Sequence, residues 1–191
     1  MEDLKTPANM PPIDESTISM WPDSLRYGLI GGLVLIIYSL CIISFDLLTS
    51  SLIMASLLGL LTFVLYIPFV FISIINHRKN SLGGYISFGR AFLVGLITIS
   101  IMVVLHNGFS LIYNVIDPGY MENFQDFMLN ALEEMNAPQA QIDEVERQFE
   151  NSESIGSIIK NIFSFLIFGA IISLVAAAIL KKSPNANEIE S

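Results

Sequence analysis

Four stretches of this chain consist almost entirely of apolar residues, and each is long enough to cross a lipid bilayer. A hydrocarbon core about 30 Å thick needs roughly 20 residues of helix at about 1.5 Å each. The pattern predicts membrane-spanning helices over residues 27–45, 52–75, 91–116 and 158–182. We therefore expect an all-α fold, a four-helix transmembrane bundle.

The segment between the third and fourth spans, residues 117–157, follows a different pattern. Asp117 and Pro118 suit the N-cap and the first position of a helix. Apolar residues then recur at helical spacing in two runs: Phe124, Phe127, Met128, Ala131, Leu132 and Met135, followed by Ile142, Val145 and Phe149. Such spacing gives each helix one apolar face. The insert is therefore predicted to be an amphipathic helical hairpin.

The composition agrees with a membrane protein. Of the 191 residues, 53% are hydrophobic and 14% are charged, whereas about a quarter of the residues of a soluble domain are charged. The single cysteine, Cys41, lies in an apolar run and has no second cysteine with which to form a disulfide. We expect a multi-pass membrane protein, with the lipid bilayer as its first partner.

Basic residues predict how the spans are threaded, because Lys and Arg are retained on the cytoplasmic side. With both termini inside, only Arg147 and Lys160 of the nine basic residues lie outside. Six of the others flank the spans as topology anchors: Arg26, Arg78, Lys79, Arg90, Lys181 and Lys182. The tails 1–26 and 183–191 are then cytoplasmic, and the acidic insert is extracytoplasmic.

Small residues four positions apart predict where the helices pack against one another. In lipid, helices associate through close backbone approach rather than through the hydrophobic effect. The candidate packing residues are Gly28, Gly32, Ala55, Gly59, Ala91, Gly95, Gly169, Ser173 and Ala177.

His106 and Asn107 form a strongly polar pair inside the third span. They lie about ten residues, or ~15 Å, from its end, which places them near the middle of the bilayer. Polar groups at that depth avoid lipid and often mark a functional site. Bonds to hydroxyl groups on neighbouring spans are the alternative, with Tyr38, Ser39, Thr62 and Tyr66 as candidate partners. The pair is therefore either structural or part of an intramembrane polar site.

The sequence carries no recognisable enzyme or metal-binding motif. It lacks a phosphate-binding loop, an H-E-x-x-H pair and a zinc-spaced set of cysteines and histidines. We accordingly expect no enzymatic activity, no catalytic residues, no cofactor and no bound metal. Nucleic-acid binding is not expected either, because the predicted cytoplasmic segments carry seven basic and seven acidic residues rather than a basic field.

Four segments together carry a family resemblance: "RYGLIGGLVLIIYSL" from residue 26, "GGYISFGRAFLVGL" from residue 83, "IYNVIDPGY" from residue 112 and "IISLVAAAILKK" from residue 171. Through them the chain resembles, over about residues 25–182, the small bacterial membrane proteins of domain of unknown function family 4199. The resemblance implies four spans with an extracytoplasmic insert before the last, in a multi-pass protein of the bacterial inner (plasma) membrane. It implies no activity and no catalytic residue.

Three functions are compatible with these features. The first is a non-enzymatic structural or accessory component of a membrane assembly, with a second copy of the chain or another membrane protein as partner. The alternative is a small oligomeric transporter or channel subunit with its polar site at His106 and Asn107. A lipid-interacting or envelope-sensing protein is the third.

Overall fold

The computed structural model describes residues 14–150 and 155–183. Most of the two predicted tails, and residues 151–154 of the insert, lie outside the described part. The described residues form six helices: α1 (Trp21–Ser44), α2 (Leu52–Asn76), α3 (Phe88–Ile116), α4 (Pro118–Glu134), α5 (Gln139–Glu150) and α6 (Ile155–Leu180). A 3₁₀ turn at Glu15–Thr17 precedes α1, and a π-helical turn at His77–Ser81 continues α2. The all-α prediction is confirmed.

Four segments of the structure are long and apolar enough to cross a membrane: Trp21–Ser44, Leu52–Ser81, Phe88–Ile116 and Ile159–Leu180. Within their most apolar windows, only 28%, 22%, 39% and 28% of the residues are buried inside the protein. The rest is apolar surface, which is stable when lipid covers it. The chain is a membrane protein.

Helix α1 begins at Trp21, six residues before the predicted start of the first span. The added turns contain Asp23 and Ser24, whose polarity ended the apolar pattern. Ser24 is nevertheless fully buried, and its hydroxyl donates to the carbonyl oxygen of Val94 at 3.3 Å. The helix extends further than the pattern because partners within the fold satisfy its polar side chains.

The chain divides into two compact units, of which the first contains the described residues 14–31, 66–102 and 167–183. Predicted packing residues lie at its closest helix contacts. A methyl group on Gly28 would lie 2.8 Å from Cβ of Ile101, and one on Gly169 would lie 2.7 Å from Cγ2 of Ile99. A methyl group on Gly95 would lie 3.0 Å from the Ser173 hydroxyl oxygen, and Ala91, Ser173 and Ala177 are fully buried. These helices approach at distances that only small side chains allow.

The second unit contains the described parts of residues 32–65 and 103–166. A methyl group on Gly32 would lie 2.6 Å from Cδ1 of Leu105, so this predicted contact is also close. At Gly59, by contrast, no atom of the described residues outside its own helical turn lies within 4 Å of the position of an added methyl group. Gly59 instead borders a cavity of about 270 Å³. Ala55, one turn earlier, is partly exposed.

Helices α4 and α5 pair as the predicted hairpin. The rings of Phe124 and Phe149 meet edge to face with their centroids 5.9 Å apart. Asn136 adopts a left-handed conformation with φ of 52° at the turn, which asparagine tolerates well. Asp117 is the N-cap residue of α4, but its carboxylate caps no backbone N–H and instead accepts a hydrogen bond from the Tyr113 hydroxyl at 3.2 Å.

Candidate functional site

The later half of α3 carries a polar stripe. His106, Asn107, Ser110 and Asn114 follow one another at spacings that keep them on one side of a helix. All four line a cavity of about 810 Å³ in the second unit. The remaining lining residues come from α3, α4, α5 and α6: Leu111, Met121, Glu144, Arg147, Gln148, Lys160, Asn161, Ser164 and Phe165. The predicted polar pair therefore lies in a cavity lined by ten polar and three apolar residues.

His106 and Asn107 have different hydrogen-bond partners. Nε2 of His106 lies 3.0 Å from the Ser39 hydroxyl on α1, which was one of its four candidate partners. Nδ2 of Asn107 donates to the carbonyl oxygen of Val103 in its own helix at 2.8 Å. The hydroxyl of Tyr38 donates to a backbone carbonyl of α2 instead. His106 thus links two helices and lines the cavity at the same time.

Arg147 and Lys160 also line this cavity. They are the only basic residues between Arg90 and Lys181. Arg147 forms an ion pair with Glu144 of the same helix, and Glu144 also accepts a hydrogen bond from Nε2 of Gln148 at 2.9 Å. The hydrogen bond from Gln148 and then that from Arg147 lower the pKa of Glu144. With His106 neutral, the charged groups that line the cavity sum to one positive charge.

From the sequence, Arg147 and Lys160 are predicted only to lie on the extracytoplasmic side of the membrane, and no function is expected for them. Each stands alone in the sequence, in or beside an acidic insert, and they belong to different helices. One local signal was available on α6, where Lys160 and Ser164 are four residues apart and so share a helix face. The pairing of that face with α5 depends on how the hairpin folds back.

The smaller cavity, of about 270 Å³, adjoins the same face of α3. It shares Ser110, Asn114 and Met121 with the larger one, and most of its lining is apolar. The Tyr120 hydroxyl at its edge is buried and has no hydrogen-bond partner among the described residues. Burial, and then the negative charge of Asp46, raise the pKa of Tyr120 to about 12. The two cavities together offer a polar region beside an apolar one.

A second polar cluster lies in the first unit, around Asp23. The carboxylate of Asp23 accepts hydrogen bonds from Asn76 at 2.9 Å, from Nδ1 of His77 at 2.7 Å and from Ser81 at 2.8 Å. His77 is fully buried, at the start of the π-helical turn. Single π-helical turns within α-helices are frequent at functional sites. The cluster joins the first turn of α1 to the end of α2.

Arg90 completes this cluster and fixes the form of the histidine. Its Nε–H donates to Nε2 of His77 at 3.3 Å. Nε2 must then be unprotonated, so His77 is neutral and Nδ1–H donates to Asp23. Nη2 of Arg90 donates to the carbonyl oxygen of Ile18. Arg90, which the sequence predicts to be a topology anchor, is a structural link between α3, α2 and the segment before α1.

The other predicted anchors differ in their contacts. Arg78 donates to the carbonyl oxygen of Leu180 at 2.9 Å. The amino group of Lys182 lies 5.3 Å from the ring centroid of Tyr85, and the guanidinium of Arg26 lies 5.7 Å from that of Tyr27. Lys79 and Lys181 are exposed. The orientation that these residues predict stays a prediction.

Metal ligands do not cluster in the described part of the chain. No group of three or more His, Cys, Asp or Glu side chains is placed there so that it could hold a metal ion.

Comparison with known proteins gives one match. The model of a family described as "Protein of unknown function (DUF4199)" matches residues 26–182. No curated protein and no solved structure matches the chain.

Proposed function

Because the chain belongs to the DUF4199 family, whose description gives no activity, we propose its function from its own side chains. It is a non-enzymatic membrane protein that binds a small polar molecule in the cavity around His106 and Asn107. The role is one of binding, and it involves no chemical step on the ligand.

The observation that carries this proposal is the place of the polar pair. A histidine and an asparagine in the middle of an apolar span are costly if they face lipid. Both line a cavity of about 810 Å³ instead. Volumes of about 300–1,000 Å³ are usual for sites that hold small molecules. A bond to Ser39 alone would explain His106, but it would not explain why Asn107, Ser110 and Asn114 share the same side of α3.

The assembly role, expected first from the sequence, has less support. It relied in part on helix faces with small residues, which would pack against a partner. Gly28, Gly95 and Gly169 already meet side chains of their own chain at 3.0 Å or less from an added methyl group. Those faces are consequently occupied within one molecule. The binding function explains the polar side of α3 that lines the cavity, and the assembly role does not.

Cysteine labelling tests the proposal. In a Cys41→Ser background, which removes the one native thiol, we would compare an Asn107→Cys variant with a Val104→Cys variant in proteoliposomes. Val104 lies on the same helix and is 61% exposed, but it does not line the cavity. A water-soluble thiol reagent should modify the cysteine at 107 and leave the lipid-facing cysteine at 104 almost unmodified. Polar solutes that occupy the cavity should slow the reaction at 107.

Equal and slow reaction at both positions would refute the proposal, because a cavity that holds a polar molecule must admit water. Flux measurements on the same proteoliposomes separate binding from transport. If the wild type takes up a solute and a His106→Leu variant of normal folded yield does not, the binding site is part of a transport path.

A further inference from the structure

We propose that the molecule bound in the larger cavity is an anion with a carboxylate or phosphate group, and that Lys160 is the cation that binds it. This inference rests on the binding function proposed above and names the chemical class of its ligand.

The distribution of charge is the first argument. Residues 117–157 contain ten acidic residues and one basic residue, Arg147. In so acidic a region, a cavity placed without regard to charge would have an anionic lining. The lining instead contains both basic residues found between positions 91 and 180, and only one acidic residue, Glu144. The cavity is a positive site within a negative segment, which favours an anion.

The second argument is the state of the two cations. Arg147 is paired with Glu144, so these two charges offset each other. Among the described residues, no ion pair includes Lys160. The charge of Lys160 also acts on Glu144, but one carboxylate cannot offset two cations, and because Arg147 holds the ion pair we assign the uncompensated charge to Lys160. Lys160 stands in the first turn of the fourth candidate membrane span, Ile159–Leu180, and its side chain is exposed, so an entering anion can reach it.

Amide groups around Lys160 supply the hydrogen bonds that an oxyanion needs. Asn161 follows it on α6, and Asn114 lines the cavity from α3. Neither side chain donates a hydrogen bond within the described part of the chain. An ammonium together with two amide donors is a suitable set for a carboxylate or phosphate, because hydrogen bonds to charged oxygens are about twice as strong as neutral ones.

Two sources can supply such a group. One is a soluble anion, and the other is the headgroup of an anionic lipid. The smaller apolar cavity adjoins the larger one at Ser110, Asn114 and Met121, so an acyl chain would have an apolar region beside the bound headgroup. The experiment must therefore distinguish the two sources.

Binding would be measured on the full chain with inorganic phosphate and with lipid as probes. Thermal unfolding in an uncharged detergent, with phosphate replaced by chloride at equal ionic strength as reference, reports the soluble anion. Native mass spectrometry after exchange into phosphatidylcholine, with and without phosphatidylglycerol, reports the headgroup. The variants are Lys160→Gln and Glu144→Gln, and Lys79→Gln is the control. It removes the same charge from an exposed lysine in the other unit.

We expect Lys160→Gln to raise the dissociation constant of the bound anion about tenfold. Glu144→Gln should lower it, because the variant removes the one negative charge of the lining. Lys79→Gln should leave it unchanged. A response to phosphate assigns a soluble anion, and retention of phosphatidylglycerol without a phosphate response assigns the lipid headgroup. Either result supports the inference if it depends on Lys160.

Absence of both responses, or equal responses in Lys160→Gln and Lys79→Gln, would overturn the inference. Labelling of the Asn107→Cys variant distinguishes this failure from that of the proposed function. If neutral polar solutes protect the cysteine at 107 and phosphate and phosphatidylglycerol do not, the cavity binds ligands but not anions. If the cysteine is never modified, the binding function itself fails.

Discussion

Replacing Asp23 with alanine should destabilise the protein by about 2–3 kcal/mol, because it removes the shared acceptor of three donors. Those donors are Asn76, His77 and Ser81, at 2.7 to 2.9 Å from the carboxylate oxygens. The side chain of His77 is 0% exposed, whereas that of Asp23 is 15% exposed. His77 therefore loses its partner without access to water, which costs about 1–3 kcal/mol. Asn76 and Ser81 are only partly buried and regain much of their loss from water.

The measurement is reversible unfolding in mixed micelles of increasing denaturing-detergent content, followed by far-ultraviolet circular dichroism. Asp126→Ala is the matched control, since Asp126 is an exposed aspartate on α4. It should change stability by less than about 0.5 kcal/mol. Asp23→Asn should have an intermediate effect, because its amide oxygen still accepts while its NH₂ group faces a donor. An Asp23→Ala variant as stable as Asp126→Ala would refute the inferred role of the Asp23 carboxylate.

Three further predictions concern single contacts. Gly28→Ala should cost about 1–3 kcal/mol of stability through overpacking against Ile101, whereas Gly59→Ala, which meets open space, should cost nothing measurable in the same unfolding assay. His106→Leu should cost only about 0.6 kcal/mol, and a double-mutant cycle with Ser39→Ala should show that this cost belongs to their shared bond. Because burial raises the pKa of Tyr120 from 10.0 to about 12, its stabilising contribution should be complete below pH 10 and lost as the pH rises to about 12. Subtracting the tyrosinate absorbance of Tyr120→Phe from that of the wild type gives the titration curve of Tyr120. A midpoint near pH 10.0 would contradict the prediction.

The helices were predictable because their signal is local. An apolar run of the required length identifies a span whatever surrounds it, and the two stripes of the insert identify α4 and α5 in the same way. The small residues were also informative, because the contacts at Gly28 and Gly169 leave no room for a methyl group and the contact at Gly95 leaves little. Gly59 has the same local signal without the contact. Whether a neighbour reaches a glycine depends on tertiary structure.

The cluster around Asp23 was not predictable from local patterns. Asp23, His77 and Arg90 lie in three different elements. In the sequence each one marks the end of an apolar run, and the simplest interpretation is a hydrated charge at a membrane surface. Their hydrogen bonds instead keep a histidine fully buried and extend α1 beyond its apolar part. Charged residues beside a span therefore define its boundary poorly when they can pair with one another.

The cavity also accounts for the two exceptions to the predicted threading. If both termini are cytoplasmic, seven of the nine basic residues lie inside, and Arg147 and Lys160 are the two that do not. A rule based only on retention of positive charge gives no reason for these two residues, but both of them line the same cavity. A binding site for an anion on the far side of the membrane requires cations there. Lys160, which supplies the uncompensated charge of the lining, is therefore both an exception to the threading pattern and the residue whose loss should weaken ligand binding while the orientation of the chain is preserved.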